Sequence, residues 1–261
     1  MRQTVLTSAV VLLASWASVQ RPSDVVAANG GDITVTPIAH GTVHVAFGSH
    51  VVLVDPTLYG GWEGPHPGNV VPKVNYDGLK TPTLILITDT HGDHLDGDAI
   101  AALRSASTTV VVPGAGGAGW QWIPGVTQIA NGQTKTVGGI EIEAIAMYNL
   151  VRGPTAATKF HDKGRGNGYI VTLGGKRLYF SGDTECTPEM KALTNIDVAF
   201  IAMNLPFTAT PAEAAECAKA FKPRIAYPYH FKGQDVRIFE SAVSGSGIEV
   251  RAREWYPPTI R

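Results

Sequence analysis

The chain is poor in cysteine, in charge and in long apolar runs, and each shortage removes a class of function. Its two cysteines, Cys186 and Cys217, cannot build a thiolate cluster, so an iron–sulfur centre is excluded. A disulfide between them is open to an exported chain. Two unpaired buried thiols fit at least as well, because sequence cannot show whether two Cβ atoms meet. Only 16% of residues are charged, 21 Lys and Arg stand against 22 Asp and Glu, and no basic block occurs. A nucleic-acid partner is therefore not expected, since phosphate binding needs a clustered cationic footprint. The apolar stretch in MRQTVLTSAVVLLASWASVQ is shorter than the roughly 20 residues a membrane-spanning helix needs. One Arg, a short apolar core and then small residues suit a secretory leader over 1–28, cleaved after Ala17 or Ala28. A single domain over 29–261, periplasmic or secreted, is the expectation. No G-x-S-x-G elbow is present, which argues against a serine hydrolase.

Glycine and proline are plentiful, at 29 and 17 residues, as in strand-rich folds with tight turns. TVHVAFG and SHVVLVDP alternate about Gly48-Ser49 and predict an antiparallel hairpin. On that pattern His44 lies on a solvated face, and His40 and His50 sit at strand ends without partners. Residues 59–80 contain no periodic segment; Trp62 and His66 there are placed on a flap or a surface excursion. The chain then alternates strand and helix. TLILIT precedes a helix in LDGDAIAALRS, TVVVP is a further strand, and GYIVTLGGKRLYF predicts a second hairpin turning at Gly174-Gly175. Thr187 before Pro188, and Thr210 with Glu213, mark two helix starts. The two β-rich openings suggest pseudo-symmetric halves.

Four apolar strands end in polar residues: TLILIT at Asp89 and His91, RLYFSG at Asp183, VAFIAM at Asn204, and IAYPY at His230. Ligands gather beyond the carboxyl ends of strands in sheets flanked by helices, so His and Asp at three of these ends predict one shared site. T-D-T-H-G-D-H-L-D crowds two imidazoles and three carboxylates into nine residues. Imidazole with carboxylate suits Zn, Fe or Mn, and ligands drawn from 89–94, 183 and 230 describe a site assembled by the fold.

D-T-H-G-D-H-L-D, S-G-D-T-E and Y-P-Y-H, in that order, resemble the signature of the metallo-β-lactamase-fold hydrolases, over about residues 33–255. HDKGRGNGYIVTLGGKRLYFSGDTECTPEMKAL is similar to the bacterial branch near ascorbate-6-phosphate lactonase-like proteins. The resemblance implies an α/β (α+β) fold, a four-layer αββα sandwich, with two divalent cations at one edge, zinc first and Mn or Fe as alternatives. Carried over, His91 binds the first cation, Asp93 and His94 the second, Asp183 bridges both and His230 completes the second. Two positions depart from the family pattern. Asp89 stands where the motif usually opens with His, a harder and more anionic ligand. His161 is the default for the isolated histidine that normally precedes the S-G-D-T motif, with substrate contact as the alternative role in its H-D-K-G-R-G-N context. The implied chemistry is attack by a bridging hydroxide, oriented by Asp93, on a small ester, lactone, lactam or phosphate ester. Alternatives are a nuclease or phosphodiesterase of the same fold, or a non-catalytic metal-binding protein. Asp55 and Asp96 are read as partners fixing histidine tautomers or as turn and helix-start residues. Arg152, Lys163 and Arg165 form a basic cluster on a loop that is either solvated or able to hold an anionic group, with Trp62 as a further substrate contact.

Overall fold

The computed structural model describes residues 22–60, 73–114, 120 and 122–256. Two seven-stranded sheets repeat one pattern. The first runs β1 (Asp24–Ala28), β2 (Gly31–Ala39), β3 (Thr42–Phe47) and β4 (His50–Val54) antiparallel, then β5 (Leu84–Leu86), β6 (Thr109–Pro113) and β7 (Thr127–Ile129) parallel. The second has β8 (Thr134–Val137), β9 (Ile140–Met147), β10 (Gly166–Leu173) and β11 (Lys176–Phe180) antiparallel. Parallel β12 (Val198–Ala202), β13 (Ile225–Tyr229) and β14 (Glu249–Val250) complete it. The pseudo-symmetry suggested by the two β-rich openings is thus present.

Period-two side-chain alternation sorts each buried strand between two cores. Leu84 and Leu86 of β5 face the space between the sheets, while Ile85 and Ile87 face outward to α1 (Gly97–Leu103) and Trp120. Likewise Val198, Phe200 and Ala202 of β12 point inward. Ala199 and Ile201 point to α2 (Pro188–Lys191), α3 (Pro211–Phe221) and α4 (Val236–Val243). The layers are therefore helix, sheet, sheet, helix, the expected αββα sandwich. Phe180, Phe200 and Tyr227 lie in register on adjacent strands and stack at 4.7 and 4.8 Å between ring centroids. Each such pair contributes about 0.5–1.5 kcal/mol beyond its buried area and stiffens the strands whose ends carry the site.

Both predicted hairpins form, and the second turns on Gly174 and Gly175 with φ of 53° and 74°. Two successive positive φ angles describe the turn that matches strand twist, and glycine adopts them without strain. Thr187 caps α2, and Thr210 with Glu213 forms the full capping box on α3. No helix among the described residues is long and apolar enough to cross a membrane.

Two expectations change. His44 is buried, not solvated, because the segment at Lys80 covers that face of β3 and its carbonyl bonds Nε2 at 3.0 Å. Helix α4, capped by Asp235, and strand β14 follow the strand expected to close the series. Strand β1 falls within the residues assigned to the leader. Asp24 is held by the Arg253 guanidinium at 2.6 and 2.9 Å and by Tyr227 at 2.9 Å. Cleavage after Ala28 removes that strand and its ion pair; cleavage after Ala17 keeps both.

Cys186 and Cys217 are joined in a disulfide, with Cα atoms 5.5 Å apart, instead of lying unpaired. The bond ties the segment after β11 to the middle of α3 across 31 residues. Closing a loop of that length restricts the unfolded chain by about 3–4 kcal/mol in the chain-entropy model. Replacing both cysteines by serine is expected to lower the denaturation free energy by about 2–4 kcal/mol and to steepen the urea dependence, because the uncrosslinked unfolded chain exposes more surface; full urea curves of both proteins read both changes.

Candidate metal centre

The site is built where β4, β5, β11 and β13 end. Beyond β4, Asp55 takes a left-handed backbone (φ 43°) that turns its carboxylate under the next loop. Its Oδ1 accepts from the Thr88 amide at 2.7 Å, and its Oδ2 from the Thr88 hydroxyl at 2.6 Å. Oδ2 also accepts from His94 Nδ1 at 2.8 Å. After β5 the segment 91–95 closes on itself, with the His94 and Leu95 amides both donating to the His91 carbonyl at 3.0 and 2.8 Å. Beyond β11, Gly182 takes a positive φ of 60° and lies against Met147, whose sulfur would sit 2.6 Å from an added Cβ, so a side chain at this turn before Asp183 would be strained. His230 follows β13, also at positive φ (46°), and its amide donates to the His40 carbonyl.

These segments bring the expected residues into two groups. Asp93, His94, Asp183 and His230 offer ligand atoms all within 4.8 Å of one another, and so do Asp89, His91 and His161. Asp183 faces both. Its Oδ1 lies 3.3 Å from Nε2 of His94 and of His230, and its Oδ2 lies 3.5 Å from His161 Nε2. Asp93 Oδ2 stands 3.4 Å from His230 Nε2, and Asp89 Oδ2 stands 2.7 Å from His91 Nδ1.

The donor set fits divalent cations. His94 Nε2, His161 Nε2, His230 Nε2 and Asp183 Oδ1 are buried, and none makes a hydrogen bond. Most buried polar atoms in proteins are paired; other unpaired ones are scattered through the described residues, but these four converge on one space, as metal ligands do. The tautomers agree. His161 Nδ1 lies 2.7 Å from Asn149 Oδ1, an atom that also accepts from the His161 amide at 2.8 Å. Because a carboxylate or amide oxygen only accepts, Nδ1 carries the hydrogen in both His94 and His161, and the Nε2 lone pair faces inward.

Electrostatics point the same way. Burial disfavours charge on His94, yet the carboxylates of Asp183, Asp93 and Asp55 outweigh it and hold its proton well above the usual range. Burial also raises the Asp89 carboxyl, but the His91 hydrogen bond and nearby imidazoles bring it down to about 2. Asp93 and Asp183 are driven down by the same balance, with His94 foremost for Asp93 and His230 for Asp183. The pocket is thus an anionic bowl that retains a proton where a divalent cation would replace it.

Sequence reasoning missed two residues and misplaced others. His40 is buried and belongs to the site: its Nε2 bonds Asp93 Oδ2 at 3.2 Å, its Nδ1 bonds Tyr256 Oη at 2.7 Å, and its ring lies 3.7 Å from that of His230. Burial and His230 lower its pKa to about 4. Asn149 orients His161; the polar residue just past β9 was its one signal. Asp55 does fix a tautomer, whereas Asp96 caps α1 and accepts from the Leu58 amide at 2.8 Å. The three cations of the basic cluster each pair with carboxylates. Arg152 pairs with Glu185 and Glu213, Lys163 with Glu189, and Arg165 with Asp89. Trp62 and His66 lie outside the described residues.

Residues 34–230 match the family described as the β-lactamase superfamily domain. The chain belongs to that superfamily. Among its curated relatives, a UPF0173 metal-dependent hydrolase of Thermococcus kodakarensis is 34% identical over 230 residues, covering 79% of this chain and 92% of the relative. Another UPF0173 metal-dependent hydrolase, from Symbiobacterium thermophilum, is 27% identical, with 83% and 90% covered. Among solved structures, a superfamily fold from Parabacteroides distasonis, named provisionally as a metal-dependent hydrolase, aligns at a TM-score of 0.78. It is 34% identical, with 90% of this chain and 99% of that one covered. Igni18, a metallo hydrolase of Ignicoccus hospitalis, shares the fold at a TM-score of 0.66 and 20% identity, over 86% and 96% of the two chains. None of these names carries the ascorbate-6-phosphate lactonase branch that the sequence suggested.

Proposed function

We propose that the chain is a metal-dependent hydrolase that uses two divalent cations, zinc or else Mn or Fe, on a small ester, lactone, lactam or phosphate ester. One observation carries the reading: Asp183 presents one carboxylate oxygen to His94 and His230 and the other to His161, and the Nε2 atoms of these three imidazoles are buried and unpartnered. The names of its relatives as metal-dependent hydrolases support it. Cations bound there supply Lewis acidity and bring the pKa of a coordinated water to about 7.

The chain's own groups set the geometry. Asp89, His91 and His161 would hold one cation, and Asp93, His94 and His230 the other, with Asp183 between them. Asp55 and Asn149 lock two imidazoles in the ligating tautomer. Asp93, held by His40 and with a side chain 20% exposed, is placed to orient an attacking water. Beside His161, Phe160 packs on Phe207 at 4.9 Å between ring centroids, and Leu150, Val151 and Phe207 are exposed. An apolar rim whose nearby cations are already paired favours a small organic substrate over a polyanion. The name of the superfamily does not make a β-lactam the substrate, since fold does not fix substrate. Export is part of the proposal, with cleavage upstream of β1; the disulfide suits an oxidising compartment.

Elemental analysis of purified protein, paired with nitrocefin, a simple lactone and bis-p-nitrophenyl phosphate, tests the reading. Two equivalents of divalent cation and turnover of at least one probe are expected. Protein that takes up no cation on reconstitution would overturn it, and salt-sensitive cleavage of DNA or RNA would move the assignment to a nuclease.

A further inference from the structure

Arg165, a member of the basic cluster, turns its guanidinium into the wall of the candidate metal centre. Its Nε and Nη2 grip the two oxygens of Asp89 at 2.9 and 3.1 Å, a planar fork on a fully buried carboxylate. Nε also donates to Thr90 Oγ1 at 3.1 Å, and Nη1 to the Phe160 carbonyl at 3.2 Å. Phe160 directly precedes His161. One side chain therefore bridges the 89–91 segment and the 160–161 segment, the two arms that present Asp89, His91 and His161.

Charge gives the arrangement a reason. Asp89 occupies the position where the resembling motif carries a neutral imidazole. Alone it would add a buried negative charge to a bowl that already holds Asp93 and Asp183, and an isolated buried charge is strongly disfavoured. His91 Nδ1 at 2.7 Å answers one of its oxygens, and the bidentate guanidinium answers both. Lysine could not do the same, because an ammonium lacks the fork that engages both oxygens while reaching a carbonyl on the second arm.

We propose that Asp89 and Arg165 act as one unit replacing an imidazole at the first cation position, with Arg165 as the positioning residue that holds both arms and balances the carboxylate. The proposal rests on the two-cation reading above, and its test separates the two.

Zinc uptake is measured by equilibrium dialysis at buffered free zinc with elemental analysis, on wild type, Arg165→Met, Arg165→Lys, Asp89→His and the double variant Asp89→His/Arg165→Met. Far-UV circular dichroism confirms folding. Wild type is expected to bind two equivalents. Arg165→Met is expected to keep one and bind the other about 10–100-fold more weakly, the usual loss when a ligand's outer partner is removed. Arg165→Lys should fall in between, so it still reports if the methionine variant does not fold. Asp89→His alone strands the guanidinium beside a cation and should also weaken the site, while the double variant recovers toward wild type. An Arg165→Met or Arg165→Lys titration that overlays wild type overturns the unit, and so does a double variant no better than both singles. Wild type that binds no zinc overturns the two-cation reading instead.

Discussion

Replacing Asp183 by alanine is expected to reduce turnover of any accepted probe substrate by about a thousandfold or more, roughly 4 kcal/mol at the transition state. Bound cation is expected to fall from two equivalents to one or none. The size follows from position. Among the described residues, Asp183 is the carboxylate with an oxygen toward each group, 3.3 Å from His94 and His230 and 3.5 Å from His161. Removing it unlinks both groups, and it leaves His94, whose proton is held partly by that carboxylate, with less reason to retain a cation in its place. Asp183→Asn keeps the shape and loses the charge, so it is expected to match alanine in cation count while folding closer to wild type. Steady-state assays with elemental analysis of the same samples check both numbers. Turnover that persisted in Asp183→Ala with two cations bound would remove the bridge.

The residues legible in advance were those that local pattern specifies. A strand that ends in a polar residue announces itself, and Asp89, His91, Asp93, His94, Asp183 and His230 all follow apolar runs. His161 was found only because the interval holds no other histidine, and the fold does bring its Nε2 toward Asp183. What escaped was relational. His40 lies between two antiparallel strands, where pattern cannot tell which rim of the sandwich the turn joins; the meeting of β2 with β13 and the C-terminal Tyr256 decides it. The basic cluster was read as free charge because its carboxylates lie 76, 33 and 26 residues away in sequence. Helix α4 was overlooked, since its apolar face is short and follows Gly233, and β1 was hidden by a leader-like N-terminus. The disulfide depends on α3 packing beside the segment after Asp183, a tertiary fact that two isolated cysteines do not advertise.

Asp55 should be the costliest position outside the ligands, and its two natural substitutions should fail differently. The carboxylate is fully buried and accepts three hydrogen bonds, from the Thr88 amide, the Thr88 hydroxyl and His94 Nδ1. Burial raises its pKa, and His94 and Thr88 work against that rise. Asp55→Ala removes every acceptor at once, leaves buried donors unpaired, and puts alanine at a φ of 43° that L-residues with a Cβ disfavour. A loss of about 3–5 kcal/mol is expected, enough to exhaust much of the roughly 5–15 kcal/mol by which domains are stable. Asparagine tolerates that backbone and keeps one acceptor, so Asp55→Asn is expected to cost only about 1–2 kcal/mol. Its amide, however, can donate to His94 Nδ1, which moves the ring hydrogen to Nε2 and blocks the lone pair the site needs. The Asp55→Asn protein should therefore remain folded yet bind the His94-dependent cation about 10–100-fold more weakly. Urea midpoints and zinc dialysis on the two variants separate these losses. If Asp55→Asn binds zinc like wild type, Asp55 serves the fold alone, and the tautomer of His94 is set by something else.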